Sequence, residues 1–489
     1  MRIKMKLYFL AAILILLFVA SIFLFTKQKQ PSYPQALCKD CNVIFITMTN
    51  LRYDHMSSNG YFRPTTPNLD KLAKESLIFD NAFSHSSWTL PEAISIYTSL
   101  YPYQHGVMSR HDGSQLPKDF LTLVDILNKH EYDTVAFTGG FDYSPEYGLI
   151  NRFSKYVECS EEARRVDGTL VGFRSGVGSK LYGGFSCTIA KALGWIKNSV
   201  GGKFFMHVQG YDAHCPFSHE GGDMYDPNYL GTVDFSDCLW TYDSAETTVK
   251  EGKTYYEVFS AKGTNEKKVL LSEDDIEHLV ALYDESITVA DREIGRFIDS
   301  LKSLGFYDKT IIVFTSEHGD MFGKKARFMR GGPRRGTFYD DVLHVPLMIK
   351  HPRIESLRVD GLAEHIDIMP TLLDFLGIYP SKSMEGKSLT PLIFKKEEIH
   401  RYVFAGSEFR PPEVNPFFVK RTRIEAIRNR QWKMIQETVL DNDLRSQILE
   451  LYDIKKDSIE ANNVAGVYPD VVRELQLRLA QWSKEHKEK

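Results

Sequence analysis

Short apolar runs alternate with amphipathic segments along most of this 489-residue chain, and this alternation limits the folds that are open to it. The runs NVIFITM (42–48), KFFMHVQG (203–210) and KTIIVFTS (309–316) have the length and apolar content of buried strands. The segment PNLDKLAKES (67–76) and the stretch from about Asp274 to Leu304 have helical periodicity. Strands that alternate with helices predict an α/β fold, with a mainly parallel central sheet flanked by helices.

Polar residues follow three of these strands at the point where each strand ends. Thr49 and Asn50 come after the first strand, Asp212 follows the second, and Glu317 and His318 follow the third. In parallel α/β sheets, ligands bind at the carboxyl ends of the strands. The sequence therefore predicts that three strand ends contribute to one candidate site.

The sequence pattern changes after about residue 395. RIEAIRNRQWKMIQE and QILELYDI are typical of antiparallel strands, and a charged helix is predicted from Pro469 to Lys487. We therefore predict a catalytic domain over residues 42–395 and a smaller C-terminal α+β subdomain over residues 396–489.

Two stretches lack clear periodicity and are rich in Gly, Ser and Tyr. They run from Gly168 to Gly202 and from Phe217 to Lys268. Both are predicted to be loop insertions on the face that carries the site, where they would form walls for a substrate.

Residues 7–26 form a run of twenty residues without a charged side chain. As a helix this run would span ~30 Å, the hydrocarbon thickness of a bilayer. We predict a cytoplasmic tip and transmembrane anchor over residues 1–30, followed by a linker over 31–41. The chain would then be a single-pass membrane protein with its catalytic domain on the extracytoplasmic side, although basic residues on both flanks weaken the orientation signal. A cleaved signal peptide is the alternative, but the run is long for one and no A-x-A-like site closes it.

Charge and cysteine content exclude two other classes of protein. The net charge is −4, which argues against nucleic acid as a partner. Six cysteines are too few for a disulfide-framework fold of this length. Cys38 and Cys41 could form a disulfide or bind a metal in an oxidising space. A local disulfide or idle thiols are favoured, because no second CxxC or histidine pair lies nearby.

A series of segments stands in the order of the motifs of one known family. The segments are NVIFITMTNLRYDH, GYFRPTTPNLDKLAKES, SSWTLPEAISIYTSLYPYQHGV, EYDTVAFTGG, HVQGYDAHCPF, TSEHGDMFG, TFYDDVLHVPLMIK and HIDIMPTLLDFLGI. From Asn42 to about Asp453 the chain resembles the sulfatase family within the alkaline phosphatase superfamily. The resemblance implies an alkaline-phosphatase-like fold and a metal-assisted displacement at sulfur or phosphorus.

The resemblance places the nucleophile at Thr89, two residues before Pro91. Sulfatases carry a formylglycine made from Cys or Ser at this place, and threonine cannot yield that aldehyde, so no formylglycine is expected. Threonine occurs here in phosphodiesterase, phosphonate-hydrolase and phosphoethanolamine-transferase relatives, where its alkoxide attacks phosphorus. A structural alternative is a capping box, in which Thr89 and Glu92 open a helix that runs through Tyr97.

The resemblance also implies a divalent metal ion. Its ligands would be Thr49, Asn50, Thr89, Glu317 and His318. Thr49 stands where family members have an acidic residue, so only Glu317 brings a negative charge and the site should bind calcium or magnesium weakly. Glu317 with His318 could instead favour zinc or manganese. Glu92 and Asp54 are candidates to supply the lost charge.

Three further residues correspond to substrate-binding positions of the family. Asp212 and His214 match a D-x-H-x-P motif whose histidine contacts the ester or protonates the leaving group. Arg335 stands where a family lysine contacts the oxyanion, a role that a guanidinium can fill with two hydrogen bonds. The alternative is that Arg335 belongs to a solvated basic pair. The family arginine after the nucleophile is replaced by Ala93, and a family lysine is replaced by Gly140.

These residues predict a membrane-anchored sulfatase-family hydrolase or transferase. It would act on phosphate or phosphonate esters by metal-assisted attack of Thr89, and sulfate esters are less favoured because of the threonine. The substrate, by analogy, would be a surface glycan, a lipid head group or another envelope polymer. The alternative is a non-catalytic sulfatase-like protein with a degraded metal site that serves binding or scaffolding, as the replacements at Thr49, Ala93 and Gly140 suggest.

Overall fold

A computed structural model of the chain defines the fold. It describes residues 38–108, 115–159, 173–174, 181–198, 202–217, 224–235, 237–241, 244–262, 265–330, 337–379, 381–409, 422–440 and 447–487. The predicted anchor at residues 7–26 lies outside these ranges and stays a prediction. In the ranges given, no helix combines the length and the apolar character needed to cross a bilayer.

The strands and helices follow each other in the predicted α/β order. The strands are β1 (Asn42–Met48), β2 (Ser76–Phe83), β3 (Asp133–Thr138), β4 (Lys155–Glu158), β5 (Phe173–Arg174), β6 (Leu181–Tyr182), β7 (Phe204–Gly210), β8 (Leu239–Trp240), β9 (Glu246–Lys250), β10 (Lys253–Lys262), β11 (Asn265–Ser272), β12 (Thr310–Thr315), β13 (Leu347–Lys350), β14 (Leu357–Glu364), β15 (Val403–Phe409), β16 (Thr422–Arg428), β17 (Trp432–Val439) and β18 (Gln447–Asp453). The helices are α1 (Pro67–Ala73), α2 (Thr89–Thr98), α3 (Pro102–His105), α4 (Leu123–Lys129), α5 (Phe185–Asn198), α6 (Glu273–Ser303), α7 (Asp340–Leu343), α8 (Ile368–Leu376), α9 (Thr390–Lys395) and α10 (Pro469–Lys487).

An eight-stranded central sheet organises the fold. Its strand order is β14-β2-β13-β12-β1-β7-β3-β4, and β13 is antiparallel to both of its neighbours while the other pairs are parallel. The strands β1, β7 and β12 are buried along their whole length, as their nearly continuous apolar sequences predict. The predicted mainly parallel sheet is therefore confirmed.

The long helix α6 covers one face of this sheet. It begins with a capping box, in which the Ser272 hydroxyl accepts a hydrogen bond from the backbone of Asp275 and the Asp275 carboxylate accepts one from Ser272. Its buried face includes Leu279, Tyr283 and Ile287, spaced four residues apart. This helix brings Tyr283 to the carboxyl end of β1, where the candidate site lies.

The C-terminal residues form the predicted α+β unit. The strands β15, β16, β17 and β18 make an antiparallel four-stranded sheet in that order, and α10 spans the predicted residues. Leu475, Leu479 and Trp482 of α10 pack in one cluster with Ile427 and Met434 of this sheet. The boundary between residues 395 and 396 stays a prediction.

A buried ion-pair network joins this sheet to the rest of the chain. Lys433 of β17 lies 2.6 Å from Asp340 and 2.7 Å from Glu460. Arg428 also pairs with Asp340, and Lys324 lies 3.3 Å from Glu460. Lys433 and Glu460 are almost fully buried, so each charge depends on its partners for compensation.

Both predicted loop insertions contain regular structure, so the prediction that they are loops was wrong, while their role as walls for a substrate stays a prediction. The stretch 168–202 includes α5, whose buried residues Phe185, Ile189, Ala192 and Ile196 follow a helical period that the surrounding Gly and Ser obscured. The stretch 217–268 includes an antiparallel sheet built from β8, β9, β10 and β11. Strand β9 is exposed along its whole length, so it has no buried face and no apolar alternation from which to predict it.

All six cysteines are paired. The disulfides are Cys38–Cys41, Cys159–Cys187 and Cys215–Cys238. The local disulfide at Cys38 and Cys41 is one of the two outcomes that the sequence favoured. The other two bonds join positions 28 and 23 residues apart. Cys159, which follows β4, is bonded to Cys187 in the first turn of α5. These bonds cross-link a chain that has a large hydrophobic core, so they do not form a disulfide framework.

Substitution of Lys433 tests the buried network. We expect Lys433→Met to lower the free energy of unfolding by about 3 kcal/mol, because Asp340 and Glu460 would each lose a buried countercharge. Urea denaturation followed by circular dichroism measures the change. The matched control is Lys456→Met, because the Lys456 side chain is exposed and its 3.5 Å ion pair with Asp453 should contribute less than about 1 kcal/mol. Equal losses in the two variants would contradict this account of the network.

Candidate active site

The parallel pairing of β1 with its two neighbours builds the site. Thr47 of β1 lies opposite Thr315 of β12, and Met48 lies opposite Gly210 of β7. The chain therefore leaves all three strands at the same edge of the sheet, as predicted. The loops after β1 and β12 are joined by a hydrogen bond of 2.9 Å from the backbone N–H of Leu51 to the Ser316 hydroxyl.

Thr89 and His318 meet at this edge. Thr89 is the first residue of α2, and its Oγ1 lies 3.0 Å from Nε2 of His318. Nδ1 of His318 lies 2.8 Å from the Gly319 carbonyl oxygen, which can only accept, so Nδ1 carries the hydrogen. Nε2 then offers its lone pair to the Thr89 hydroxyl. Burial lowers the pKa of His318 well below its usual value, so the imidazole is neutral.

The capping box proposed for Thr89 and Glu92 does not form, so that alternative was wrong. Trp88 occupies the N-cap position and no side chain caps the helix. The Glu92 carboxylate instead accepts a hydrogen bond of 2.8 Å from the backbone N–H of His85 and lies 2.7 Å from Nδ1 of His365. The Thr89 hydroxyl is thus directed to His318 and not to its own helix.

Asn50 is held in an unusual backbone conformation beside this pair. Its φ of 73° lies in the left-handed region, which asparagine tolerates better than most residues. The Tyr283 hydroxyl donates a hydrogen bond of 2.7 Å to its carbonyl oxygen. Its Nδ2 donates to Oδ2 of Asp320 at 2.8 Å, and its Oδ1 lies 3.5 Å from Nη1 of Arg330. Such strained residues are characteristic of functional sites.

Arg330 brings a buried positive charge to the site. Its guanidinium lies over the Trp88 ring, 5.1 Å from the ring centroid. Trp88 directly precedes Thr89 in the sequence. The charge of Arg330 helps to lower the pKa of His318 and opposes the rise in the pKa of Asp320. Burial is the larger effect on Asp320, and it raises the pKa of this carboxyl to about 6.

Glu317 lies in a buried polar environment after β12. Its Oε1 accepts a hydrogen bond of 2.5 Å from the Tyr143 hydroxyl, and among the described residues its Oε2 has no hydrogen-bond partner. Burial raises the pKa of Glu317 to about 7, and the bond from Tyr143 only partly opposes this rise. Oγ1 of Thr49 accepts a hydrogen bond of 2.9 Å from Nε2 of Gln209.

This donor set fits a divalent ion. Thr89 Oγ1 and His318 Nε2 lie 3.0 Å apart, close enough for both to bind one ion. The unpartnered Oε2 of buried Glu317 is a further oxygen that a cation would compensate. A set with one carboxylate, one imidazole and neutral oxygens suits zinc or manganese better than calcium. The five predicted ligands, which include Thr49 and Asn50, stay a proposal.

Two other groups of His, Cys, Asp and Glu lie within reach of a single ion among the described residues. In the first, His214 lies beside Cys215 and Cys238, whose sulfurs are consumed by their disulfide. The second is Glu364, Asp367 and His400, which is a possible metal site. There His400 lies 2.8 Å from Asp367 and 3.4 Å from Glu364. Although burial opposes it, these two carboxylates raise the pKa of His400 to about 9, so an imidazolium already compensates them.

Neither candidate for the lost negative charge faces the Thr89–His318 pair. Asp54 is bound by Arg52 through Nε at 2.8 Å and Nη2 at 2.6 Å. Although the contact removes some water from this otherwise exposed carboxylate, the Arg52 guanidinium lowers the pKa of Asp54 well below its usual range. Glu92 is bound to His85 and His365, as described above. These carboxylates therefore cannot replace an acidic residue at position 49, which corrects the prediction.

The predicted substrate-binding residues have three different outcomes. Oδ2 of Asp212 accepts a hydrogen bond of 2.9 Å from the backbone N–H of Phe185 and so fastens the first turn of α5. His214 is buried, its Nδ1 lies 2.7 Å from the Cys215 carbonyl oxygen, and its charge influences the pKa of His318. Arg335 lies outside the described residues. A contact of any of the three with a substrate stays a prediction.

Three residues of the site were not identified from the sequence. Asp320 stands inside the quoted segment TSEHGDMFG, so the motif itself could have indicated it. Arg330 lies twelve residues after His318 in a stretch without periodicity, and nothing there marks it as buried. Tyr143 reaches Glu317 from the loop after β3, across 174 positions of sequence.

The comparisons with known proteins agree with this architecture. The sulfatase family profile matches residues 41–378, and the profile described as N-sulphoglucosamine sulphohydrolase, C-terminal, matches residues 334–485. Arylsulfatase K of Bos taurus is 24% identical over 433 residues, which cover 84% of this chain and 76% of that protein. An arylsulfatase of Clostridium perfringens (strain 13 / Type A) is 27% identical over 423 residues, which cover 78% and 84%.

One solved structure shows the same fold across almost the entire chain. The crystal structure of the phosphonate monoester hydrolase of Agrobacterium radiobacter superposes with a TM-score of 0.70 at 23% identity. The superposition covers 91% of this chain and 96% of that chain. The alkaline-phosphatase-like fold that the motifs implied is therefore confirmed.

The raised pKa of Glu317 makes stability depend on pH. The folded carboxyl keeps its proton up to about pH 7, whereas the unfolded one loses it near its usual value of 4.5, so the free energy of unfolding should fall as the pH rises between these values. We expect this component, about 3 kcal/mol, to vanish in Glu317→Gln. Denaturant titrations from pH 4.5 to 7.5, with a chelator present, measure it. The exposed control Glu355→Gln should keep the wild-type slope. An unchanged slope in Glu317→Gln would show that this carboxyl is not the source.

Proposed function

This chain belongs to the sulfatase family and is a sulfatase-like ester hydrolase, and we propose that it cleaves phosphate or phosphonate esters by attack of the Thr89 hydroxyl. The observation that carries the proposal is the distance of 3.0 Å between Thr89 Oγ1 and His318 Nε2. A hydroxyl hydrogen bonded to a neutral imidazole is the arrangement of an activated nucleophile. Because threonine cannot become formylglycine, sulfate esters are the less favoured substrates.

The side chains around Thr89 have separate tasks. The Gly319 carbonyl fixes the tautomer of His318, so that its single lone pair, on Nε2, faces Thr89 and orients the hydroxyl. This lone pair either accepts the Thr89 proton or binds the proposed ion, and in the second case the proton would pass to water. The bond from Thr89 Oγ1 to phosphorus forms while the bond to the leaving oxygen breaks, and water then displaces Thr89 Oγ1 from phosphorus, which restores the hydroxyl. His214 is the proposed donor of a proton to that oxygen. Arg330 is placed to hold the charged oxygens of the ester, because its guanidinium lies beside both Asn50 and Trp88.

A divalent ion belongs to the proposal. The ligands would be Thr49, Asn50, Thr89, Glu317 and His318. Bound there, the ion would supply positive charge that favours the ionised form of Thr89 and offsets the charge of the ester oxygens. Asp320 and Tyr143 orient two of the ligands through their hydrogen bonds to Asn50 and Glu317.

Location and substrate class are also proposed. Three disulfides support an oxidising compartment, since such bonds seldom persist in the cytosol. With the predicted anchor at residues 7–26, this favours a single-pass membrane protein whose catalytic domain lies on the extracytoplasmic side. The ester would then belong to a surface glycan, a lipid head group or an envelope polymer. The net charge of −4 argues against a nucleic-acid substrate.

Removal of the nucleophile tests the reaction. We expect Thr89→Ala to lower the turnover of an aryl phosphodiester by at least about 10³-fold, because no other hydroxyl is paired with His318 in the described site. Thr89→Ser should retain part of the activity. Release of p-nitrophenol from bis(p-nitrophenyl) phosphate by the detergent-solubilised full chain measures the rates.

Thr98→Ala is the matched control for this variant. Thr98 lies in the same helix, and its hydroxyl donates to the Ile94 carbonyl at 2.7 Å, away from His318. It should keep the wild-type rate. Unchanged turnover in Thr89→Ala would refute the assignment of the nucleophile. A wild-type chain that turns over no phosphate, phosphonate or sulfate ester would favour the non-catalytic binding alternative.

Metal content is the second test of the proposal. We expect about one equivalent of zinc or manganese per chain by mass spectrometry of the purified full-length protein, and a lower thermal midpoint after chelation. Glu317→Gln should reduce the content, because it removes the negative charge of the donor set. Glu355→Gln should not, since its side chain is exposed and belongs to no part of the site. A metal-free wild-type protein that chelators leave unchanged would overturn the proposed ion.

A further inference from the structure

We infer that Glu92 and His365 form a brace that positions the Thr89 hydroxyl against His318, an inference that rests on the proposed nucleophile. The brace is defined as the hydrogen-bonded chain Glu92–His365–Thr315. It joins the helix that carries Thr89 to the strand whose end carries His318. Neither Glu92 nor His365 touches the reacting atoms, so both are positioning residues.

The first half of the brace lies in the first turn of α2. Glu92 stands three residues after Thr89, and its side chain is fully buried. Its Oε1 lies 2.7 Å from Nδ1 of His365, and its Oε2 accepts a hydrogen bond of 2.8 Å from the backbone N–H of His85. Because no side chain caps this helix, such tertiary bonds contribute to fixing the position of its N-terminus.

The second half reaches the central sheet. Nε2 of His365 lies 2.9 Å from Oγ1 of Thr315, the last residue of β12. The Thr315 hydroxyl also lies 2.7 Å from the Pro346 carbonyl oxygen. Three residues after Thr315 stands His318, which closes the circuit through its bond to Thr89. The nucleophile helix and the strand are therefore held together at two points.

The hydrogen bonds of this chain have a defined direction. The Pro346 carbonyl can only accept, so the Thr315 hydroxyl donates to it and accepts in turn from Nε2–H of His365. One proton then lies between Nδ1 of His365 and Oε1 of Glu92. A glutamine at position 92 could donate to Nδ1 and accept from the His85 N–H, so it can replace the carboxyl in both bonds.

Ala93, the residue after Glu92, explains why Thr89 needs a brace. The sulfatase motif continues with Ser and Arg after the proline, and this chain has Glu92 and Ala93 instead. Ala93 is fully buried and offers no polar group to fix the nucleophile. Glu92, at the preceding position, supplies hydrogen-bonded contacts to His85 and His365.

Kinetics of brace variants test the inference. We expect Glu92→Ala to lower kcat for bis(p-nitrophenyl) phosphate by about 10²-fold with little change in KM, since a displacement of about 1 Å at the nucleophile has a cost of that size. Glu92→Gln should retain most of kcat. His365→Asn should lower kcat by a factor similar to that of Glu92→Ala, again with little change in KM. The full-length wild type and variants are compared under one condition, with folding checked by circular dichroism.

His55→Asn is the matched control. It removes a buried histidine–carboxylate pair of the same length, because Nδ1 of His55 lies 2.7 Å from Oδ1 of Asp284. This pair does not contact α2, so kcat should stay within about twofold of wild type once stability is equal. A similar loss of kcat in His55→Asn and Glu92→Ala, or in Glu92→Gln and Glu92→Ala, would overturn the brace.

Crystal structures of the variants separate this inference from the proposed function. In Glu92→Ala the distance between Thr89 Oγ1 and His318 Nε2 should increase beyond about 3.5 Å, the limit of a hydrogen bond. In Glu92→Gln it should stay near the wild-type 3.0 Å. An unchanged distance in Glu92→Ala refutes the brace even if the enzyme is active. A wild type without turnover refutes the proposed reaction, while the distances still decide on the brace. If Glu92→Ala does not fold, Glu92→Asp and His365→Asn give the same measurements.

Discussion

The parallel pairing of β1 with β12 is the constraint on which the site depends. Because Thr47 lies opposite Thr315, the residues after each strand begin their loops side by side, and Asn50 and His318 reach the same edge. A slip of one residue would turn every side chain of a strand to the other face of the sheet. Both strands are buried along their whole length, which fixes their register. The packing of the apolar core therefore determines where the polar residues after the strands lie.

The sequence predicts those elements whose information is local. Strand β1 was predicted at its observed bounds because its apolar run is unbroken. Helix α10 was predicted at its observed bounds because its apolar residues recur at helical spacing along its length. The same reasoning missed α5 and the exposed strand β9, whose patterns are interrupted or absent. Thr89 and His318 could be found because each stands in a motif. The bond between Glu92 and His365 could not, because it joins positions 273 residues apart and depends on side-chain directions that no motif specifies.

The two carboxyl groups of the site differ in how their charge is compensated. Asp320 and Arg330 both contact Asn50, so the carboxylate and the guanidinium are bridged by one amide. Glu317 has a hydroxyl donor in Tyr143 but no cationic partner among the described residues. Burial without a countercharge explains why the pKa of Glu317 is raised to about 7, above that of Asp320. Among the described residues, the Glu317 carboxyl is thus left without a countercharge, as expected of a ligand to the proposed ion.

The C-terminal subdomain supports this site through a continuous series of charges. Arg52 donates to the carbonyl oxygen of Asp320 at 3.2 Å and lies 2.7 Å from Asp341. Asp341 pairs with Lys324, which also reaches Glu460 of the C-terminal unit. Because each member of the series is partly or fully buried, loss of one leaves an uncompensated charge beside the next. The backbone at Asp320, and with it the bond to Asn50, is therefore held from a distance. The C-terminal subdomain provides neither Thr89 nor His318, yet it contributes to the geometry in which they meet.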